Sequence, residues 1–538
     1  MKINLLKKMR AAQVTFNSKA EIKDLQLSDF LDDNRRFLLI TAENAVSECR
    51  LNKGSDLLPG LFEKCSQLCE KSFAVSEDTL SEHFKKEKTD GISAELIPLA
   101  LTCALVGYAA ESIRTGSGKR LKYAVESLRI LAETDFDSVL KRISLTEKIL
   151  IRDPSGIYEK MSEETKKIYR RKIALKSVKS GESEKEIAEK ILKKAEETDK
   201  HVGEYILGKS VCPKRGRLCI AMGILMPLAV AAALTVFLED LRVGLFLFFP
   251  LWEIFRIPVE RAMMKDKEPI HLPRMESTDC RALITVSTLL PSAEKADELK
   301  EKLEQHYLSN GSDKVKVCCL ADFKSADSAR KAADKRILES ARKVIVELNE
   351  KHGSGFILAV RPRSYSETQN EFIGKERKRG AITELIRAVK GDARGFTELF
   401  GDTECLNEVK YLIAADWDTE PYFGAVQKLL AVAEHPHNSP IIKNGRVVSG
   451  YGLFVPEVHN SLKSKFATGF TKLMAGNTGF SSYDSFACEK YQLLFGESVF
   501  GGKGLINVDA YYETLDKSLP RERLLSHDTV ESGYLRTA

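Results

Sequence analysis

The sequence predicts an α-helical N-terminal domain, a transmembrane helical hairpin, and then an α/β domain built on a mostly parallel sheet. Three patterns carry that expectation. Apolar residues recur at helical spacing, without strand-like alternation, across residues 31–210. Leu218 to Leu238 runs for 21 residues without one charge, matching the roughly 20 residues needed to cross a bilayer. From Cys280 onward, short apolar strands alternate with amphipathic helices, as βα units around a parallel sheet do. A chain of 538 residues has room for several folding units.

Residues 1–30 read as a tail. Its start, Met1-Lys-Ile-Asn-Leu-Leu-Lys-Lys, is basic but lacks a sustained apolar stretch, so it does not read as a signal peptide. Within residues 31–210, Ser183-Glu-Lys-Glu186 has the capping-box pattern, and Ile187, Ala188, Ile191, Leu192 and Ala195 follow at helical spacing. Asp153-Pro-Ser-Gly156 reads as a turn between helices. No residues here have catalytic spacing, and the charged faces read as solvated. This is an all-α accessory domain.

Residues 211–265 form the expected hairpin. Its first arm contains Pro227 and, read as a soluble segment, would be a buried core helix. The second arm, Val243 to Trp252, is flanked by Arg242, Glu253 and Arg256, so it reads as a second span or as a helix lying at the surface. Lys209, Lys214, Arg215 and Arg217 precede the first arm, and Arg256, Arg261, Lys265 and Lys267 follow the second. The turn between the arms holds Glu239, Asp240 and Arg242. Positive charge on both outer flanks predicts that both ends face the cytoplasm.

Residues 280–538 make the α/β domain. Strands are expected at Ala282–Val286, Val315–Leu320, Gly355–Val360 and Val409–Ala415, with helices at Ala293–Leu308, Ser325–Lys351 and Lys375–Lys390. Ligands then belong at the carboxyl ends of the strands. The fourth strand runs out into Asp416-Trp-Asp418. Two carboxylates two residues apart, where a buried strand emerges, can share one hard cation and a diphosphate; they can also simply cap a turn. Asp322 closes the second strand, where it could grip a base or a ribose. Lys375, Arg377, Lys378 and Arg379 open a helix and could face phosphates, or be a solvated face. Gly501-Gly-Lys-Gly504 lacks the spacing of a P-loop. Ser526-His-Asp528 has the composition of a hydrolase triad, but neighbours in sequence cannot adopt triad geometry, which leaves Asp528 as a candidate general base.

Composition narrows the class. A net charge of +6, from 83 basic and 77 acidic residues, is too mild for a nucleic-acid binder. The eleven cysteines include no Cys-x-x-Cys pair; Cys65 and Cys69 stand one helical turn apart without a second pair, so they read as reduced core thiols, not zinc ligands.

Taken in order, several motifs resemble the N-terminal glucosyltransferase region of cyclic β-1,2-glucan synthases. In the helical part these are Ile151-Arg-Asp-Pro-Ser-Gly-Ile-Tyr158 and His201-Val-Gly-Glu-Tyr205. In the α/β part they are Thr288-Leu-Leu-Pro291, Glu376-Arg-Lys-Arg-Gly380, Asp416-Trp-Asp418, His435-Pro-His-Asn438, Gly450-Tyr-Gly452, Gly502-Lys-Gly504, Val508-Asp509 and Leu525-Ser-His-Asp528. The resemblance implies a GT-A-like (Rossmann-like) domain that polymerises glucose from UDP-glucose at the cytoplasmic face of the inner membrane, by inversion at the anomeric carbon and with a protein-linked glucan. It implies that Asp416 and Asp418 hold UDP with Mg²⁺ or Mn²⁺, that Asp322 lies near the nucleotide, and that Asp528 takes the place of the base. It also implies a later Arg/Trp-rich motif, further membrane helices and a phosphorylase-like region, none of them in these 538 residues. The expectation is a piece of a longer or split enzyme whose partners are UDP-glucose, the growing glucan, membrane lipids and a separately encoded C-terminal part. Two alternatives stay open: a related transferase making a different, linear glucan, and a catalytically incomplete membrane-anchored assembly module.

Overall fold

A computed structural model describes residues 5–17, 25–51, 57–86, 94–208, 214–264, 272–290, 292–456, 458, 466–474, 490–516, 518–520, 524 and 527–538. Of the residues singled out above, Lys209, Lys265, Lys267, Pro291, Leu525 and Ser526 lie outside that set, as do the side chains of Lys214, Arg215, Arg217 and Arg261. The chain divides into two compact units, Met1–Gly208 and Lys209–Ala538.

The first unit is helical throughout its described residues. The stretch read as a tail contains a helix, Leu5–Asn17, whose Met9 and Phe16 are fully buried. Ile97–Arg114 is apolar enough to suggest a membrane span, yet Ala100, Leu101, Cys103, Leu105 and Val106 are all buried inside the unit, so it is a core helix. The capping box at Ser183 is present: Glu186 N–H donates to Ser183 Oγ and the Ser183 N–H to Glu186 Oε2. The two motifs Ile151–Tyr158 and His201–Tyr205 come together around Asp153. Its carboxylate takes His201 Nδ1 at 2.8 Å and the Val202 and Tyr158 N–H groups at 3.0 and 3.2 Å. Burial opposes the charge on Asp153, but the hydrogen bonds from His201 and Ser155 outweigh it and hold the carboxyl down at about 2. Gly203 is required there, because a Cβ would run into the Tyr169 hydroxyl and the His201 ring.

The second unit opens with two consecutive helices, Lys214–Leu238 and Leu241–Met264, which pack along one another. Gly244 permits the contact, since a Cβ there would meet Thr235 Oγ1 and, at 3.2 Å, the Ala231 carbonyl. Cys219 near one end of the pair packs with Val259 and Leu494, so the helices run antiparallel. Val243–Trp252 lies inside the second helix, whose 24 residues measure about 36 Å. The reading of Leu218–Leu238 as a buried core helix fails: only 17% of that stretch is buried, and Phe237 and Phe246 are each 81% exposed.

A seven-stranded sheet follows. Its strands are β1 (Arg281–Leu289), β2 (Val315–Asp322), β3 (Phe356–Arg361), β6 (Glu398–Gly401), β7 (Val409–Asp416), β10 (Leu453–Phe454) and β11 (Gly504–Asn507), in the order β10-β11-β7-β1-β2-β3-β6. Two hairpins stand apart: β4 (Ser364–Ser366) with β5 (Glu371–Ile373), and β8 (Ile441–Lys443) with β9 (Arg446–Ser449). The four expected strands are the central parallel ones, while β6, β10 and β11 add antiparallel edges, so the sheet is mixed. Successive side chains face opposite layers. Ile284, Val317, Leu358 and Ile413 pack against the helices Ala296–Asn310, Ala332–His352 and Ala425–Ala433. Leu283, Cys318, Ile357 and Leu412 pack against Arg377–Val389 and Val508–Leu515. The helix expected from Ser325 starts later, at Ala332, because Ala326 is drawn into backbone pairing with Phe372.

Candidate functional site

The parallel register brings the ends of four strands together. Leu289 pairs with Asp322, Asp322 with Arg361, and Ser287 with Asp416. Asp322 is buried and paired through both oxygens with Arg361: Nε donates to Oδ1 at 2.8 Å and Nη2 to Oδ2 at 2.6 Å. The same guanidinium donates to the carbonyls of Lys375, at 2.9 Å, and Arg377, at 2.8 Å. Those bonds hold a tight turn in which Glu376 and Arg377 both take left-handed backbone angles, φ 55° and 47°, an uncommon state for residues with side chains. Gly380 completes it, because a Cβ would overlap the Lys375 carbonyl. Asp322 does not line the cleft described next; its place is under the turn that presents the cations.

The cleft has a volume of about 760 Å³ and lies at this carboxyl edge. Arg377, Lys378, Asp416, Gly502, Asp528 and Glu531 are on its walls. The four cations separate into different duties. Lys378 Nζ reaches Asp416 Oδ1 and the Gly502 carbonyl, each at 2.5 Å, and so ties the strand end to the glycine loop. Arg377 faces the cleft. Arg379 is buried on Glu376, at 2.9 Å, and Glu531, at 3.6 Å. Lys375 contributes its carbonyl to Arg361 and is not on the cleft wall.

Lys503, quoted above only within Gly501-Gly-Lys-Gly504 and Gly502-Lys-Gly504 and without a role, stands next to the carboxylates. β11 pairs antiparallel with β7 through Gly504 and Ala414, so the residues just before Gly504 run beside those just after Ala414. Lys503 Nζ thereby stands 3.4 Å from Asp416 Oδ2 and 3.6 Å from Asp418 Oδ1. One cation can touch both carboxylates. Among the described residues no group of three or more acidic, histidine or cysteine side chains gathers to hold a metal alone. A hard cation bound by one or two carboxylates, with phosphate and water completing its shell, fits such a donor set.

Asp528 begins the helix Asp528–Leu535 and faces the Gly502 backbone; a Cβ on Gly502 would sit 3.4 Å from its carboxylate. Gly502 has φ +75°, and that angle is the reason for glycine. Burial raises the Asp528 pKa, Asp416 adds to the rise, and Lys378 and His527 oppose it. One turn later Glu531 is 4% exposed and accepts from the Tyr511 hydroxyl at 3.2 Å. Burial and the neighbouring Asp528 push it up to about 7. Ser532 ties the two segments: Phe500 N–H donates to its Oγ, at 2.8 Å, and that hydroxyl donates to the Asp528 carbonyl.

The raised Glu531 pKa makes a prediction with a definite sign. Its protonated form supports the fold fully below the ordinary value of 4.5, and that support is lost as pH rises to about 7. Glu531→Gln keeps the neutral shape. Thermal unfolding at about pH 4.5 and about pH 7.5 will show the wild type losing ground to the variant at the higher pH. A gap between the two proteins that does not change with pH would contradict the assignment.

No protein-family model matches the chain. It is similar to a curated protein, cyclic beta-(1,2)-glucan synthase NdvB of Rhizobium meliloti (strain 1021), at 34% identity over 267 residues. The aligned stretch takes in 48% of this chain and 9% of the relative, so the chain spans only a small part of that protein. Over those residues, the resemblance to cyclic β-1,2-glucan synthases read from the motifs is borne out by a sequence alignment.

Proposed function

We propose that the second unit is a glycosyltransferase of the kind that builds cyclic β-1,2-glucan, taking glucose from UDP-glucose with inversion. The observation that carries this reading is one cleft at the carboxyl edge of a parallel sheet: Asp416, Lys378 and the partly desolvated Asp528 line it, and Asp418 and Lys503 stand beside Asp416 just outside its wall. The chain's sequence similarity to NdvB supports the same reading. In this account the domain is GT-A-like.

The residues divide the chemistry. A β bond made from an α-linked sugar nucleotide needs in-line attack by an acceptor hydroxyl, which is a poor nucleophile at neutral pH. Asp528 takes the hydroxyl proton, and its raised pKa makes it the stronger base. Glu531, neutral up to about pH 7, leaves Asp528 as the charged member of the pair. Arg377 and Lys378 face the departing diphosphate, and Arg379 holds Glu531 and Glu376 in place. Asp416 and Asp418 would hold Mg²⁺ or Mn²⁺, which supplies charge stabilisation on the leaving diphosphate. Asp322 acts through Arg361 and the Lys375–Arg377 turn, not by touching the nucleotide.

The exposed apolar faces of Lys214–Leu238 and Leu241–Met264 support a membrane hairpin, with Glu239 and Asp240 at its outer turn. In this reading both flanks, and so the cleft, are cytoplasmic.

Two measurements test these assignments. Membranes expressing the chain together with the C-terminal part that the resemblance implies should transfer label from UDP-[¹⁴C]glucose to glucan. Asp528→Asn should lower that transfer by about 10²–10⁴ with UDP binding intact. An Asn variant that retains more than about a tenth of the wild-type rate, well short of that loss, would remove Asp528 as the base, and no transfer by wild type would remove the reading. For topology, Arg242→Cys should react with an impermeant maleimide on intact cells, while Glu189→Cys and Asn444→Cys should react only after lysis. Labelling of either of the latter two from outside would refute the hairpin.

A further inference from the structure

We propose that Lys503 is an internal stand-in for the divalent cation and an exchange partner for it. This rests on the reading of the cleft as a nucleoside-diphosphate site. At the edge of the cleft, beside the wall residue Asp416, the Lys503 ammonium bridges Asp416 Oδ2, at 3.4 Å, and Asp418 Oδ1, at 3.6 Å. From there a single positive charge touches both carboxylates. Lys378 balances the first of them from the other side, at 2.5 Å. Two carboxylates and two ammonium groups therefore leave this part of the cleft without net charge, and it holds together with nothing bound.

A nucleoside diphosphate brings at least two negative charges into that neutral set. A divalent cation on Asp416 and Asp418 would restore the balance, but it and the Lys503 ammonium cannot occupy the same place. Lys503 has a second place to go. Its side chain is 29% exposed and Asp418 is 81% exposed, so the contact is neither buried nor locked. Its backbone is fixed instead: Gly504, with φ +140°, packs against the Phe454 carbonyl and pairs with Ala414. A flexible stem on a fixed anchor lets the ammonium leave the carboxylates and take the diphosphate. Lys503 thus guards the carboxylates in the empty enzyme and grips the phosphates in the loaded one.

The exchange predicts effects of opposite sign, which a merely structural ion pair would not give. Lys503→Met keeps the stem and removes the charge. Titrated with Mn²⁺ alone, the Met variant should bind about two- to fivefold more tightly than wild type, as one exposed ion pair no longer competes. Titrated with UDP at saturating Mn²⁺, it should bind about tenfold or more weakly, having lost a charged phosphate contact. Lys503→Arg, which retains the charge, should recover UDP binding and show that the Met chain is not misfolded. Mn²⁺ affinity unchanged or weakened in the Met variant, or UDP affinity unchanged, overturns the exchange. If wild type binds neither Mn²⁺ nor UDP, the reading of the cleft falls and the exchange falls with it.

Discussion

The paired hydrogen bonds between Asp322 and Arg361 are the constraint on which the rest of the cleft depends. Each residue ends a parallel strand, and the register sets them side by side. A buried carboxylate is costly unless it is paired and fully bonded, and Arg361 meets that need through a planar fork that lysine lacks. The fork then has donors left over. They reach the carbonyls of Lys375 and Arg377 and hold two successive side-chain-bearing residues in left-handed geometry. Without that turn, nothing fixes where the helix Arg377–Val389 begins or where Lys378 points.

From that turn the site follows step by step. Lys378 spans from Asp416 to the Gly502 carbonyl, so the strand end and the glycine loop become one wall. The loop carries Lys503 to the two carboxylates on one side and presses against Asp528 on the other. Arg379, one residue past Lys378, also lines the cleft and lies 3.6 Å from Glu531, on the helix that Asp528 starts. A surface run of cations in the sequence thus becomes an ordered set, with one residue aimed at the cleft, one bridging, one buried and one serving through its backbone.

Some of this was legible in the sequence because it is local. A carboxylate at the end of an apolar strand is a matter of a few adjacent residues, and Asp416 and Asp418 could be marked on that basis. The long uncharged run at Leu218–Leu238 was equally plain. What escaped depends on contacts distant in sequence. Lys503 reaches Asp416 only because β11 returns antiparallel to β7 after a long excursion. Arg361 became visible as the partner of Asp322 only once the strand register was known. Asp153 and His201 read as a turn and a separate motif, yet their meeting across helices forms the buried polar centre of the first unit. The helix Leu5–Asn17 was legible as well, since Leu5, Met9, Ala12 and Phe16 stand at helical spacing; the basic start alone makes the stretch read as a tail.

The direct test of the central constraint uses Arg361→Lys, which keeps the charge and removes the fork. Arg361 is not on the cleft wall, so any effect on ligand must pass through the turn it holds. Calorimetric titration with UDP in the presence of Mn²⁺, on a variant whose circular dichroism matches wild type, should show affinity lower by about tenfold or more, as loss of an outer-shell support commonly does. A folded Lys variant that binds UDP as tightly as wild type would contradict the account, because the cations of the cleft would then be placed without the Asp322–Arg361 pair.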